Sequence, residues 1–248
     1  MTLPPMKLLA LELSTEACSV ALWVDGELRE RHEVAPRRHT ELVLPWCDAL
    51  LAEAGIAKSA LDGLAVGRGP GAFTGVRLAV ALAQGMALAW DRPVVPVSTL
   101  AALAMRAPRD AAEALPILAA IDARMGELYL GWFDAQADGL VRARGVEWMA
   151  RPAEPNFAAG APPVFAGIGS GFAADGGRLV EVLGSGLRAV DPQGLPHAAD
   201  VARLGVAAWA RGKAVAADRL EPAYLRDKVA LTLVEQAQAR AGRESGAG

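Results

Sequence analysis

The sequence is poor in the residues on which metal and thiol chemistry depend, with three histidines and two cysteines among 248 residues. None of His32, His39 and His197 stands four residues from another, as two ligands on one face of a helix would. Neither Cys18 nor Cys47 has a histidine close by to support a catalytic thiol, and no GxSxG nucleophile elbow is present. We therefore expect no metal site and no nucleophilic hydrolase.

Strong charge and long apolar runs are also missing. Lys and Arg number 25 against 28 for Asp and Glu, so a net charge of −3 provides no basic field for holding nucleic acid. The long uncharged segment 156–174 contains four glycines and two prolines and cannot form a spanning helix. The N-terminus acquires Lys7 and Glu12 too early for a secretory signal. With 53% hydrophobic residues and two cysteines in apolar stretches, the sequence predicts a soluble protein of a reducing cytoplasm.

Apolar periodicity predicts a mixed α/β arrangement in the first part of the chain. Asp25 and Gly26 form a strong hairpin signal, Thr40 is a candidate helix cap, and Gly55 is expected to end that helix. The predicted elements are strands at 7–13, 19–24 and 27–33, a helix at 39–54, a strand at 61–66, a helix at 74–90, a strand at 94–97 and a short helix to about 106, capped by Ser98 or Thr99.

The same order of elements then begins again, with Glu12 and Asp122 at matching places in the two first strands. The second set comprises strands at 116–122, 127–133, 140–147, 164–168 and 187–190 and helices at 178–183 and 197–211. Two such units in tandem define the actin-like ATPase architecture. We predict an α/β fold with two actin-like (RNase H-like, βββαβαβα) lobes, 1–106 and 107–200. Residues 201–248 are predicted to form C-terminal helices that pack back on the first lobe, with a flexible tail.

A glycine-rich segment at residues 67–77 lies between a predicted strand and a predicted helix. Glycines allow close backbone approach and a helix N-terminus favours an anion, but the segment matches neither a Walker loop nor GxGxxG. A phosphate site and a rigid structural turn are both open. The polar turn after the first strand is open in the same way, and a second glycine-rich turn at 167–171 is a weaker nucleotide candidate. The candidate nucleotide or phosphate contacts are Glu12, Ser14, Thr15, Gly69, Gly71, Thr74, Gly75 and Arg77.

The two helices of the first lobe carry more apolar surface than one sheet is expected to cover. Between Arg77 and Asp91 the second helix has no charge, and its apolar residues surround the whole circumference. This pattern favours an exposed patch that binds another protein, and the alternative is a helix enclosed within its own fold. The candidate partner-interface residues are Leu42, Trp46, Leu50, Val76, Val80, Ala83, Met86 and Ala87.

Several segments together resemble the bacterial TsaB (YeaZ) family: LALELSTEACSVALWVDGEL, RRHTELVLP, GRGPGAFTGVRLAVALAQGMALA, VSTLAALA and AAIDARMGELY. The resemblance is dense over residues 8–103, returns at 119–129 and is suggested again at 221–227. The string GRGPGAFTGVR is the specific part of this pattern, whereas isolated glycines would not be.

The resemblance implies a noncatalytic relative of TsaD, the subunit that transfers threonylcarbamoyl to the adenosine next to the anticodon of tRNA. It implies that the two apolar helices bind a TsaD-like subunit, or a second copy of the chain when that subunit is absent. A TsaE-like ATPase joins the assembly, tRNA is met through the complex, and no membrane is involved. This chain itself then requires no cofactor, and ATP and magnesium are handled by the partner subunits. The family commonly has Asp where this sequence has Glu12, which argues further against nucleotide hydrolysis by this chain.

Two other hypotheses remain beside this one. An active kinase or ATPase of the same fold would use Glu12 and Asp122 around magnesium and residues 67–75 for phosphate. A peptidase, a label used for relatives of this fold, would need a metal pair or a nucleophile with a base. The sequence offers neither.

Overall fold

A computed structural model describes residues 5–108, 115–157 and 160–226. The first lobe contains β1 (Lys7–Glu12), β2 (Ala17–Val24), β3 (Glu27–Val34), α1 (His39–Ala54), β4 (Gly63–Gly67), α2 (Phe73–Trp90), β5 (Val94–Val97) and α3 (Thr99–Ala104). Its sheet has the order β3-β2-β1-β4-β5. Strands β1 to β3 form an antiparallel meander, and β4 and β5 run parallel to β1.

The second lobe repeats this arrangement. It contains β6 (Pro116–Arg124), β7 (Glu127–Ala135), β8 (Val141–Ala143), β9 (Trp148–Ala150), β10 (Phe165–Ile168), α4 (Arg178–Leu183) and β11 (Leu187–Asp191). The sheet order β8-β7-β6-β10-β11 corresponds strand for strand to the order in the first lobe. The predicted tandem α/β architecture is confirmed.

The third strand of the second lobe differs from its prediction at 140–147. The structure has two short strands there, β8 and β9, and both pair with β7. Gly145 lies between them with φ of 101°, a left-handed conformation that interrupts an extended run. The predicted cap of α1 is also wrong, because Thr40 lies inside the helix, which begins at His39, and Arg38 precedes it without a side-chain cap. Ser98 does cap α3, since its hydroxyl accepts a hydrogen bond from the N–H of Ala101 at 3.0 Å.

The first sheet is covered on both faces. Alternate side chains of β1 point to opposite sides, so Leu9 and Leu11 pack with α1 and α2, whereas Leu8 and Ala10 pack with the last helix. That last helix is α5 (Ala198–Trp209), which lies against β1, β2 and β4. Helix α3 lies between the lobes, where Leu103 joins the core of the second sheet.

The chain after α5 runs back along the first lobe. From residue 210 to residue 226 the described structure contains one 3-10 turn, Ala217–Arg219, and no further α-helix. Leu220 belongs to the core formed with α1 and α2. The predicted flexible tail lies in residues 227–248, outside the described residues.

Candidate functional site

The glycine-rich loop at residues 67–75 connects β4 to α2 and packs directly on the end of β1. The N–H of Ala72 donates a hydrogen bond to the carbonyl of Ser14 at 2.7 Å. A Cβ on Gly71 would lie 2.5 Å from that same carbonyl oxygen, and one on Gly75 would overlap the carbonyl of Leu13. The glycines are therefore needed because two backbone segments touch, and the loop itself fills the space beside the strand end.

Glu12 lies beneath this loop and is 1% exposed. Its Oε1 accepts a hydrogen bond from the N–H of Ser14 at 2.8 Å, and its Oε2 accepts one from the hydroxyl of Thr99 at 3.1 Å. Burial raises the pKa of the Glu12 carboxyl, although the hydrogen bonds from Ser14 and Thr99 oppose that rise. Both oxygens are committed to neighbouring groups of the fold, so Glu12 supports the loop and does not fit a magnesium ligand.

The other candidate phosphate contacts differ in whether the fold itself uses them. Gly69 donates its N–H to the hydroxyl of Thr99 at 3.2 Å, and the hydroxyl of Thr15 accepts a weaker bond from the N–H of Ala17 at 3.3 Å. Thr74 is exposed at the start of α2. The hydroxyl of Ser14 is buried without a hydrogen-bond partner.

Arg77 turns toward the C-terminal segment. Its Nε donates a hydrogen bond to the hydroxyl of Tyr224 at 3.1 Å, and its guanidinium lies 3.6 Å from the ring centre of Phe73. Close by, the N–H of Ala223 donates to the carbonyl of Arg68 at 2.8 Å. The segment 220–226 therefore covers the glycine-rich loop, a contact that local sequence patterns could not reveal.

Arg226 carries this segment across to the second lobe. Its Nη2 lies 2.7 Å from Oε2 of Glu127 and 3.2 Å from the carbonyl of Ala123. Both acceptors belong to the β6–β7 hairpin. The C-terminal segment thus connects the loop of one lobe to a hairpin of the other.

The second-lobe acid, Asp122, has its own local partners. Its carboxylate accepts the backbone N–H of Arg124 at 2.8 Å and pairs with that side chain at 3.1 Å. An open cleft of about 280 Å³ adjoins it, with Glu127 and Asp175 among the lining residues. The glycine-rich turn of this lobe is closed as well, because a Cβ on Gly169 would overlap the carbonyl of Ala120. Each of the two acids of the kinase hypothesis, Glu12 and Asp122, is thus hydrogen-bonded by groups of the chain itself.

A second interaction between the lobes involves Glu147. The hydroxyl of Ser98 donates a hydrogen bond to its carboxyl group. Burial raises the pKa of Glu147, although the hydrogen bond from Ser98 and the charge of Arg68 oppose that rise. The residue that caps α3 thus also contacts the second lobe.

The candidate interface helices are more enclosed than the sequence suggested. The buried members of the predicted set are Leu50, Val76, Val80, Ala83, Met86 and Ala87, and all of them except Val76 belong to the first-lobe core cluster, whereas Leu42 and Trp46 are half-buried against it. Their burial has two causes. The first sheet covers one side of α2, and Ala217 and Leu220 of the returning chain join the same core. With at most 8% of their surface exposed, these six side chains offer little area to a partner.

A different stripe of α2 faces outward. We define the α2 outer face by Leu78, Ala81, Leu82, Gly85 and Leu88, which follow the helical period along one side of α2 and are half-buried or exposed. Leu88 is 71% exposed, and nothing lies within 4 Å of a Cβ built on Gly85. By length and composition alone α2 could cross a membrane. The opposite side of α2 is part of the protein core, so length and composition are weak evidence for a membrane-spanning helix.

The structure also assembles a cluster that spacing along the sequence had hidden. His32 and His197 stack with ring centres 3.8 Å apart, and Glu30 joins them through its Oε2, 3.0 Å from Nδ1 of His197. Burial opposes ionisation of Glu30, but hydrogen bonds from His197, Ala199 and Ser19 and the charge of His197 lower its pKa to about 2. Burial and the charge of His197 lower the pKa of His32. Residues so far apart in the chain leave no local motif.

His39, the remaining histidine, lies apart from this cluster at the start of α1. Its Nε2 is 3.0 Å from the carbonyl oxygen of Thr15 and 3.1 Å from that of Ala17. The ring therefore holds the start of α1 against the β1–β2 turn.

The fold defines a two-lobed protein of the actin-like, RNase H-like class, and its glycine-rich loop packs against the end of its own first strand. A family model for TsaD, tRNA N6-adenosine threonylcarbamoyltransferase, matches residues 32–146. The tRNA threonylcarbamoyladenosine biosynthesis protein TsaB of Escherichia coli K12 is 39% identical over 229 residues, covering 91% of this chain and 96% of that protein. The chain belongs to the TsaB family.

Two further comparisons agree with this assignment. The TsaB protein of Haemophilus influenzae is 50% identical over 124 residues, covering 50% of this chain and 52% of that protein. The YeaZ structure from Pseudomonas aeruginosa aligns with a TM-score of 0.78 at 45% identity, and the alignment covers 89% of this chain and 100% of that chain. The predicted family resemblance is confirmed.

Proposed function

We propose that this protein is a noncatalytic subunit that binds and activates a TsaD-like threonylcarbamoyltransferase during formation of threonylcarbamoyladenosine next to the tRNA anticodon. The observation that carries the proposal is the closed glycine-rich loop over the buried Glu12, in a chain of the TsaB family. A lobe whose phosphate loop is filled and whose acid is enclosed retains the architecture of a nucleotide enzyme without its site. Such a lobe is suited to act by binding the TsaD-like subunit and not by catalysing a reaction itself.

The proposed docking surface is the α2 outer face. Covering the exposed Leu88 with a partner removes apolar surface from water and so stabilises the complex. Ala81 and Gly85 are small enough for a second helix to approach closely. The residues that match the TsaD family model, 32–146, include both α1 and α2. A partner with corresponding helices could meet this face in a pseudo-symmetric arrangement, and a second copy of this chain could occupy it when the partner is absent.

The remaining parts of the proposal concern the assembly. The partner subunits, one of them a TsaE-like ATPase, bind ATP and magnesium. The chain encounters tRNA only as part of the assembled complex, in the cytoplasm. The net charge of −3 is consistent with a subunit that has no nucleic-acid surface of its own.

The test compares Leu88→Arg with Val146→Arg. Leu88 and Val146 are both exposed aliphatic side chains, 71% and 85% exposed, but Val146 lies in the second lobe, between β8 and β9. Leu88→Arg is expected to leave the chain folded and to abolish copurification with the TsaD-like subunit, whereas Val146→Arg should bind normally. Reconstitution with the partner subunits, tRNA, threonine, bicarbonate and ATP should lose modification with Leu88→Arg. Unchanged affinity of Leu88→Arg would contradict the docking surface.

The kinase or ATPase hypothesis has its own measurement. Calorimetry with ATP and magnesium on the isolated chain is expected to give no micromolar binding and no turnover. Tight binding accompanied by hydrolysis would replace the proposed role with an enzymatic one, and equal tRNA modification with and without this chain would remove the role altogether.

A further inference from the structure

We propose that Glu30, His32 and His197 form a binding site for a divalent transition-metal ion of the zinc type. The ligand atoms of these three side chains all lie within 4.8 Å of one another. Glu30 and His32 are two apart on β3 and so share one face of the strand, and His197 immediately precedes α5. Two imidazoles and one carboxylate are a donor set that suits zinc and leaves one coordination position open.

The carboxylate is already held in place by neighbouring groups. Its Oε1 accepts hydrogen bonds from the hydroxyl of Ser19 at 2.8 Å and from the N–H of Ala199 at 3.0 Å. These contacts leave Oε2 as the oxygen that faces the histidines. Hydrogen bonds from neighbouring groups that fix the orientation of a coordinating side chain are a regular feature of metal sites, and they raise the affinity for the metal ion.

A buried nitrogen without a hydrogen-bond partner also supports a metal site. Nδ1 of His32 is buried and has no hydrogen-bond partner, whereas buried polar atoms in folded proteins are usually satisfied. A metal ion is an acceptor of the lone pair that a neutral imidazole offers at such a nitrogen. An ion bound there would remove the desolvation penalty of this atom.

Binding requires a small rearrangement. Tetrahedral zinc at about 2.0 to 2.1 Å from its ligands holds them about 3.3 Å apart. The two rings, now parallel within 5°, must tilt so that a nitrogen of each faces one ion. The hydrogen bond between His197 and Glu30 is then replaced by coordination. Because all three residues are half-buried, the ion can enter and the rings can turn.

The charges around the cluster permit a cation. Arg106 contributes positive charge near His32, but its guanidinium is paired with Asp200 at 3.3 Å. Arg203 pairs with the other oxygen of Asp200 at 2.7 Å. Arg106 is thus partly neutralised, and Glu30 supplies negative charge within the site.

The other soft ligands of the chain are poorly placed to compete. All three histidines and both cysteines of the sequence lie in the described part of the chain. Cys18 and Cys47 are buried, and burial, together with nearby acidic charge, raises the pKa of each thiol to about 12, so neither supplies a thiolate. Nε2 of His39 faces two backbone carbonyls. We therefore expect one ion per chain.

The test is calorimetric titration of the full chain, free of any affinity tag, with zinc chloride. Wild type is expected to bind one zinc ion with micromolar or tighter affinity and to show no response to magnesium. His32→Gln should weaken binding on the order of 100-fold. His39→Gln is the matched control, because it removes the remaining histidine, and it should bind zinc like the wild type.

Thermal unfolding supplies the second measurement. Zinc should raise the Tm of wild type and of His39→Gln but not that of His32→Gln, because binding to the folded state alone stabilises it. Circular dichroism checks that His32→Gln folds, and His197→Gln provides the same comparison if it does not. The proposal is overturned if wild type binds no zinc, or if the His32 and His197 variants bind it as wild type does.

Discussion

Gly67 faces the carboxylate of Glu12 so closely that a Cβ at this position would overlap Oε2. The carboxylate cannot move aside without breaking its hydrogen bonds to Ser14 and Thr99. The strand end, the glycine-rich loop and the start of α3 are therefore packed around one buried acid. This relationship explains why glycine is required at the end of β4.

Gly67→Ala is accordingly expected to destabilise the protein. Overpacking of a filled interior typically costs about 1 to 3 kcal/mol, and we expect a loss in that range in the free energy of unfolding measured with urea. Gly85→Ala is the matched control, since its Cβ would meet open space in the middle of α2. That variant should gain roughly 0.5 to 1 kcal/mol from helix propensity. Equal stability of Gly67→Ala and wild type would show that the loop can retract.

The buried Glu12 also predicts a dependence of stability on pH. Burial raises its pKa above the ordinary 4.5, so the folded state binds the proton more tightly than the unfolded state does. Its contribution is fully present below pH 4.5 and is lost as the pH rises through the higher folded pKa. The stability of wild type relative to Glu12→Gln should therefore fall as the pH is raised through this window.

This comparison is made by urea unfolding at several pH values. Glu27→Gln serves as the control, because Glu27 is exposed at the start of β3. The difference between wild type and Glu27→Gln should change little over the same interval. A difference between wild type and Glu12→Gln that rises with pH would mean that the hydrogen bonds outweigh burial.

The inner and outer sides of α2 should respond differently to charge. Val80 is 5% exposed and packs in the first-lobe core, so Val80→Arg would bury an unpaired charge. We expect a loss of about 4 kcal/mol or more, enough to prevent folding or leave a partly unfolded chain. Ala81→Arg, on the exposed neighbouring position, should change the stability by no more than about 0.5 kcal/mol. Circular dichroism and thermal unfolding distinguish these outcomes, and a stable Val80→Arg would contradict the observed burial.

Much of this fold follows from local sequence patterns. The apolar period of α1 and the glycine after it predicted both of its bounds, and the repeated order of strands predicted the second lobe. The position of the glycine-rich loop was also predictable, because a cluster of glycines between a strand and a helix marks close backbone approach. What the loop approaches was not predictable from its own residues.

Local sequence patterns are least informative where distant segments meet. The apolar circumference of α2 suggested an exposed patch, but Leu220 returns to cover part of it from 140 residues further along the chain than Val80. In the same way, His32 and His197 meet only because α5 packs back on the first sheet, and no spacing rule links them. Periodicity describes one element at a time, so it cannot tell which apolar face the rest of the chain will cover.

The C-terminal segment provides the last prediction, which concerns the pair formed by Arg226 and Glu127. Their side chains are 21% and 38% exposed and join the segment 220–226 to the β6–β7 hairpin. A double-mutant cycle with Arg226→Gln and Glu127→Gln should give a coupling energy of roughly 0.5 to 1 kcal/mol, limited by solvent screening. Raising the salt concentration should reduce it. The Arg178–Glu181 pair, more exposed and only three residues apart, is the control and should couple more weakly. Coupling no greater than in that control would mean that the segment is held by Tyr224 and the backbone bond of Ala223, without help from the ion pair.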